Sequence, residues 1–340
     1  MTALLRRLSE LLPAREYRGI ERVTQRYSLS ITQNVMETMH DLNPEHDPVA
    51  KQYIPDLREL DEIEGELDDP TGDFAHEAVK GLIHRYPDRV LFKVTPICAV
   101  YCRFCFRREM VGVSQELLNE DDYAKVYAYI AENPQIREVI LSGGDPLVLS
   151  ARRLKKIMEH LSSIEHVQRI RIHTRVPVAA PARVDAEMMT ALATPKKTAA
   201  VIHINHPNEL TQQVQDAVKM LQENGWEVLS QSVLLNGVNN DSDILRDLFE
   251  GLIQHDVKPY YLHHPDKANG TKHFRISIEE GKKIYTALRG TVSGYALPQY
   301  VLDIPGGYGK VPVNSDWIEP HAEGGYSVLD IHGNRHRYYD

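Results

Sequence analysis

The sequence predicts an α/β protein whose parallel sheet curls into a barrel or part of one. Two observations carry that expectation. From about Val90 onward, apolar β-branched runs alternate with amphipathic helical stretches, giving six β-then-α units in a row, each about thirty residues long past the first. The distinctive polar residues then fall where strands should end, including Ser142-Gly143-Gly144-Asp145, His173, His203, Gln231 and His263. Barrels of this class place their active sites at those ends.

Strands are expected at Val90 to Val94, Glu138 to Leu141, Arg169 to His173, Ala200 to Asn205, Glu227 to Leu234 and Lys258 to His263. Helices are expected near Asp121 to Glu132, Ala151 to Leu161, Ala186 to Leu192, Thr211 to Asn224, Asp243 to Gln254 and Ile278 to Leu288. Before them, short helical patterns broken by Pro44, Pro48, Pro55 and Pro70, with an acidic stretch from Asp61 to Asp69, read as an N-terminal helical wrap over residues 1–83. The core is expected over residues 84–313. After Gly290 the chain returns to extended residues, then Pro305-Gly-Gly-Tyr-Gly-Lys310, and residues 314–340 form a polar tail containing histidine and tyrosine.

Composition narrows the function classes. Hydrophobic residues make up 42% and charged residues 26%, ordinary for a globular chain. A formal net charge of -9 argues against a nucleic-acid footprint, which needs a basic stripe. No apolar run reaches membrane-spanning length, and Met1 to Ser9 lack the apolar core of a signal peptide, so a cytoplasmic location is expected.

The chain's 3 cysteines sit together as Cys98-Ala-Val-Tyr-Cys102-Arg-Phe-Cys105. Three thiolates are one short of a closed tetrahedral zinc site and have no even partner count for disulfides. They suit a [4Fe-4S] cluster with one iron left open, where a small molecule such as S-adenosyl-L-methionine (SAM) can bind. Leu141-Ser-Gly-Gly-Asp-Pro-Leu147 ends the next strand, where paired glycines allow close backbone approach to a ligand and the Asp145 carboxylate can take an ammonium group.

Seven motifs together resemble the lysine 2,3-aminomutase family of radical SAM enzymes. They are Arg85-Tyr-Pro-Asp-Arg89, Cys98 to Arg108, Ser142 to Leu147, His203-Ile-Asn-His-Pro-Asn-Glu209, Gln231-Ser-Val-Leu-Leu235, Tyr260-Tyr-Leu-His-His-Pro-Asp266 and Val301-Leu-Asp-Ile-Pro-Gly-Gly-Tyr-Gly-Lys310. The likeness runs from about His84 through Val313. It implies a partial (β/α)6 barrel of the TIM type holding cluster, SAM and pyridoxal 5'-phosphate (PLP), in an isomerase that moves the 2-amino group of an amino acid to C3.

Carried over position by position, the resemblance makes Cys98, Cys102 and Cys105 the cluster ligands and Lys310 the lysine that joins PLP. Arg85, Tyr86 and Arg89 then bind the PLP phosphate, for which two arginines and a phenol are suited. Ser142, Gly143, Gly144, Asp145, His203 and Gln231 fall near SAM. Arg107 matches the anchor for the substrate carboxylate, although Arg103 and Arg108 lie close enough that spacing does not choose among them. Asp266 and Asp303 match two aspartates that grip the distal ammonium of lysine; two carboxylates would repel glutamate.

The implied partners are lysine and a one-electron reductant such as flavodoxin or ferredoxin. The late cysteines that bind zinc between subunits in larger family members are missing, so no zinc is expected and oligomerisation is left open. Both the branch serving elongation factor P and the branch releasing free β-lysine fit the sequence. Other amino acids, a radical SAM reaction without PLP, and a non-enzymatic iron-sulfur protein remain the rival readings.

Overall fold

The computed structural model describes residues 8–9, 14–112, 116–314, 317–330 and 332–339. Residues 1–7, at the start of the expected wrap, lie outside them. A ten-stranded sheet runs in chain order. It begins with an antiparallel hairpin, β1 (Glu77–Val79) and β2 (Leu82–Tyr86). Parallel strands follow: β3 (Arg89–Thr95), β4 (Glu138–Gly143), β5 (Arg169–Thr174), β6 (Lys197–His203), β7 (Glu227–Val233), β8 (Lys258–His263) and β9 (Gln299–Ile304). The sheet ends with β10 (Gly309–Pro312), antiparallel to β9. The first and last strands do not pair, so the barrel is partial.

Side-chain alternation along these strands separates a structural face from a chemical one. Val90, Phe92, Val94, Val139, Leu141, Ile170, Ile172, Ala200, Ile202, Val228, Leu262 and Tyr300 join the main core beneath the helices. The other parity, which includes Ser142, His173, His203, Gln231, His263 and Asp303, lines the lumen. The covering helices start where short polar side chains cap them. Asn119 and Asp122 cap each other's backbone at Glu120–Glu132, and Ser150, Thr211, Asp241 and Ser277 accept backbone N–H groups at the starts of the later ones.

Three expectations change. A seventh parallel strand, β9, follows Ile278–Leu288, so the stretch read only as extended supplies lumen residues. The N-terminal wrap is helical at Ala14–Arg26, Gln33–Glu37 and Pro48–Lys51, but its end folds into the β1–β2 hairpin, whose five-residue second strand was too short and too charged to stand out. The tail also holds an antiparallel sheet of β11 (Ile318–Pro320), β12 (Tyr326–Leu329) and β13 (Arg335–Tyr338). No helix among the described residues is long and apolar enough to cross a membrane.

The N-terminal segment lies over the strand ends and grips the cysteine loop. Backbone N–H groups of Tyr101 and Arg103 donate to the carbonyls of Ser30 and Gln52, each at 2.8 Å. Glu59, buried at 1% exposure, accepts from Arg103 Nε at 2.9 Å and also from Arg103 Nη2 and Arg108 Nη2. Burial opposes ionisation of Glu59, yet the two guanidiniums hold its carboxyl below the usual range. Removing its charge would strand two buried cations. Glu59→Gln is therefore expected to cost about 3–5 kcal/mol of unfolding free energy in urea titration; a loss under about 1 kcal/mol would show that this contact does not anchor the loop.

Candidate active site

One cavity of about 910 Å³ fills the lumen, and every site residue expected from the sequence lines it. Cys98, Cys102 and Cys105 stand at its wall after β3, with Ser142, Gly143, Gly144 and Asp145 beside them after β4. Register explains the next pair, since His203 lies directly opposite Gln231 across β6 and β7. Asp303 and Lys310 are cross-strand partners in the β9–β10 hairpin, so the sheet itself brings their side chains to one place. Arg85, Tyr86 and Arg89 lie at the turn between β2 and β3.

The glycine turn serves the cysteine loop. Gly144 N–H donates to Thr95 O at 2.6 Å and Asp145 N–H to Ile97 O at 2.8 Å. A Cβ on Gly144 would sit 2.3 Å from Ile97 O, and Gly143 holds φ +115°, where a Cβ would meet Thr95 O at 2.5 Å. The close approach expected toward a ligand is thus made to the backbone just before Cys98. Asp145 differs from expectation in the same way: its carboxylate accepts from Leu147 N, Thr174 Oγ1, Arg175 N and Val176 N at 3.0, 2.7, 2.6 and 3.1 Å. Four donors leave it little capacity for an ammonium group.

Of the three neighbouring arginines, only Arg107 lines the cavity; Arg103 and Arg108 are committed to Glu59. Arg107 Nε donates to Asp73 Oδ2 at 2.8 Å and Nη1 approaches Ser142 Oγ at 3.4 Å, which leaves the Nη2 edge of the fork for a ligand. Asp73 escaped the sequence reading because it stands beyond the acidic stretch. Burial works against its charge, but Arg107, then Lys93 and Arg85, keep its carboxyl below the usual range. Arg175 was missed too. Its Nη1 donates to Cys102 Sγ at 3.1 Å while Nη2 holds Gln52 Oε1 at 2.6 Å and Glu209 Oε1 at 2.8 Å. An arginine directly after a strand-end His-Thr pair was the available signal.

On β9 and β10, Lys310 Nζ donates to both oxygens of Asp303 at 2.7 and 2.6 Å, and His263 Nδ1 lies 3.6 Å from Asp303 Oδ2. Burial opposes the Asp303 charge, but His263 and Lys310 bring its carboxyl down to about 2. Asp266 makes no hydrogen bond or ion pair with the described residues, although Lys310, Arg107 and Arg85 favour its charge from farther off. Burial, then the Asp303 charge, pushes its carboxyl up to about 7. His173 and His203 are held well below the usual imidazole range by burial first, then by neighbouring cations, so both are neutral near pH 7. Their Nε2 atoms, with Arg85 Nε and Arg175 Nε, are buried without protein partners. Orphaned donors and acceptors around a roomy cavity are what a bound ligand would satisfy.

Residues 92–248 match the model of the Radical SAM superfamily and residues 285–325 that of Lysine-2,3-aminomutase. L-lysine 2,3-aminomutase of Fusobacterium nucleatum is 38% identical over 313 residues, covering 91% of this chain and 73% of that protein. The Haemophilus influenzae L-lysine 2,3-aminomutase is 40% identical over 281 residues, 82% of each chain, and the Clostridium subterminale one is 38% identical over 307 residues, 90% of this chain and 74% of its own. The chain belongs to the lysine 2,3-aminomutase family of radical SAM enzymes.

The enzyme is thus an isomerase, and its superfamily implies a [4Fe-4S] cluster and SAM. Among the described residues no group of three or more histidine, cysteine, aspartate or glutamate side chains is arranged to hold a single metal ion. The cysteines nevertheless share one cavity wall, with Arg107 and Arg175 beside them. Burial pushes all three thiols up, Cys105 to about 11, so a cationic inorganic centre must compensate for deprotonating them. Three thiolates on one cavity wall fit a multi-iron centre with one iron left open. Gly144→Ala is expected to push the Pro96–Ile97 backbone away and lower iron and sulfide content after anaerobic reconstitution severalfold; unchanged content would mean the loop does not depend on that contact.

Proposed function

We propose that the enzyme converts L-lysine to β-lysine by moving the 2-amino group to C3, using PLP together with the cluster and SAM. The observation that carries this reading is the pairing, within one cavity, of the cysteine trio with an amine and carboxylate set matched to lysine. SAM cleaved at the reduced cluster supplies a carbon radical able to remove hydrogen, and PLP supplies a carbonyl that binds the migrating amine.

The chain's own residues position and gate that chemistry. Cys98, Cys102 and Cys105 would hold the cluster. Ser142, Gly143, Gly144, Asp145, His203 and Gln231 shape the SAM side of the lumen, Asp145 doing so by fixing the turn. Arg85, Tyr86 and Arg89 offer two guanidiniums and a phenol to a phosphate, with Arg89 stacked 3.9 Å from the Tyr86 ring. Arg107 takes the substrate carboxylate on its open edge. Asp303 and Asp266 take the ε-ammonium, and the same two charges exclude glutamate.

Lys310 begins as the partner of Asp303. Were Nζ to turn from Asp303 toward a PLP carbonyl, Asp303 would be left free to accept the cation of the substrate. His263 beside it, held low by burial, stays neutral and adds no competing charge. The N-terminal segment over the strand ends keeps bulk water from the reacting carbons.

Anaerobically reconstituted protein with SAM, PLP and dithionite should form a β-amino product from lysine and not from glutamate or arginine. Lys310→Ala should abolish turnover and the absorption band of bound PLP, while glutamate turnover exceeding that of lysine would sink the proposal. The Asp266 carboxyl, raised to about 7, is ionised only above that pH, and a bound ammonium stabilises the ionised form. The KM for lysine is accordingly expected to rise as pH falls below about 7. Asp266→Asn should raise KM roughly 10- to 100-fold at pH 8 and flatten that pH dependence; a wild-type-like slope in the variant would remove Asp266 from substrate binding.

A further inference from the structure

Helix Ala14–Arg26 is the surface layer over the cysteine loop. Its apolar face directs Val23 inward, and Val23 with the following Tyr27 forms one cluster with Tyr101 and Val111, against which Cys98, Cys105 and Leu60 pack. Tyr27 also lies 3.7 Å beneath the Arg108 guanidinium and donates its hydroxyl to Glu109 at 3.1 Å. A helix is about 10 Å across with its side chains, so the outer face of this one is on the order of 10 Å from the thiols.

That outer face carries Arg18, Arg22 and Arg26, all exposed, at successive four-residue steps. Such spacing places them along one stripe. Glu21 lies on the same helix beside Tyr17, and Glu109 is 3.7 Å from Arg26, so the stripe is partly balanced at its margins. Arg22 makes no hydrogen bond or ion pair with the described residues. The helix packs on Leu57–Leu60, and the exposed Asp61, Glu62 and Glu64 follow. A basic stripe with an acidic border stands out on a chain of formal net charge -9. Nothing in the lumen chemistry uses these arginines.

From this placement we propose that the Arg18–Arg22–Arg26 face is the docking surface for an acidic one-electron carrier that reduces the cluster. The inference rests on the radical SAM reading of the cysteine loop and is independent of which amino acid is rearranged. In the step itself, the carrier loses one electron, the cluster gains one, and no proton or bond is exchanged. Complementary charge supplies encounter rate and orientation, and the acidic border disfavours misaligned approach. A path through Val23, Tyr27 and Tyr101 is one layer of side chains thick.

The test uses reconstituted holoenzyme and flavodoxin as the acidic probe. Affinity for oxidised flavodoxin, measured by titration calorimetry at 25 and 200 mM salt, reads docking without turnover, and anaerobic stopped-flow reads cluster reduction by flavodoxin hydroquinone. The double variant Arg18→Glu/Arg22→Glu should weaken binding at least tenfold at low salt, slow flavodoxin-driven reduction at least tenfold and flatten its salt dependence. Its cluster content and its reduction by dithionite should match wild type. Arg18→Lys/Arg22→Lys should retain most of the affinity.

Flavodoxin binding and reduction unchanged in the charge-reversed protein, or absent salt dependence in wild type, would overturn the proposal. So would tighter binding of the stripe to anionic vesicles than to flavodoxin. If lysine proved not to be the substrate, flavodoxin binding and cluster reduction would still read out, so failure of the two proposals is distinguishable.

Discussion

A single carboxylate shut away from water holds the chemistry in place. The cysteine loop lies between β3 and the first covering helix with no regular structure of its own, so its shape must come from outside. Glu59 supplies that constraint by accepting from Arg103 and Arg108, residues that bracket Cys105 on both sides. Asp145 and Glu209 repeat the device, one receiving the backbone after β5 and the other receiving Arg175 beside Cys102. In each case several donors converge on one buried acid. Such a site is far more costly to leave half-made than to form, which makes the loop conformation all-or-none.

The same rule governs the lumen, where cations are matched before any ligand arrives. Asp73 neutralises Arg107, Asp303 neutralises Lys310, and Asp88 pairs with Arg89 at 2.7 Å. A ligand entering this cavity exchanges partners instead of meeting bare charge. That lowers the desolvation cost on both sides and favours molecules carrying the complementary set: an anion beside Arg107, a phosphate beside Arg85 and Arg89, a cation beside Asp303 and Asp266. Asp266 is the exception: Lys310, Arg107 and Arg85 favour its charge but make no ion pair with it, so burial and the Asp303 charge win and raise its carboxyl pKa. It is the site's one residue whose charge awaits the ligand.

Much of this was legible in the amino-acid sequence because periodicity and motif coincide. Strands β3 to β8 were marked by β-branched runs, and their final lumen-facing residues were the distinctive ones, so strand parity and chemistry pointed to the same positions. Strand β9 was harder: its residues follow a glycine- and proline-containing stretch with no helix after them, which removes the β-then-α signature. The β1–β2 hairpin hid behind polarity, since His84 and Arg85 interrupt the apolar pattern of the short β2. Asp73, Arg175 and Glu59 could not be found from spacing at all. Each acts on a partner 34 or more positions away, a relation that only the folded chain supplies.

The location of Lys310 shows why the barrel stops short of closure. Asp303 sits on β9, held by neighbours on both sides, whereas Lys310 sits on β10, the edge strand, paired on one side only. The carboxylate and the amine are thus placed on a strand bonded on both sides and a strand bonded on one. The connection between them holds positive φ at Gly306, Gly307 and Gly309. At the seam this loop meets Gly72 so closely that a Cβ there would lie 2.6 Å from the Gly306 carbonyl carbon. The seam is closed by a 3.3 Å bond from Gly306 N–H to Pro70 O and by the His76 ring, whose Nε2 lies 3.2 Å from Gly307 O. The open edge of the sheet thus restrains the Lys310 strand less than the paired interior restrains Asp303.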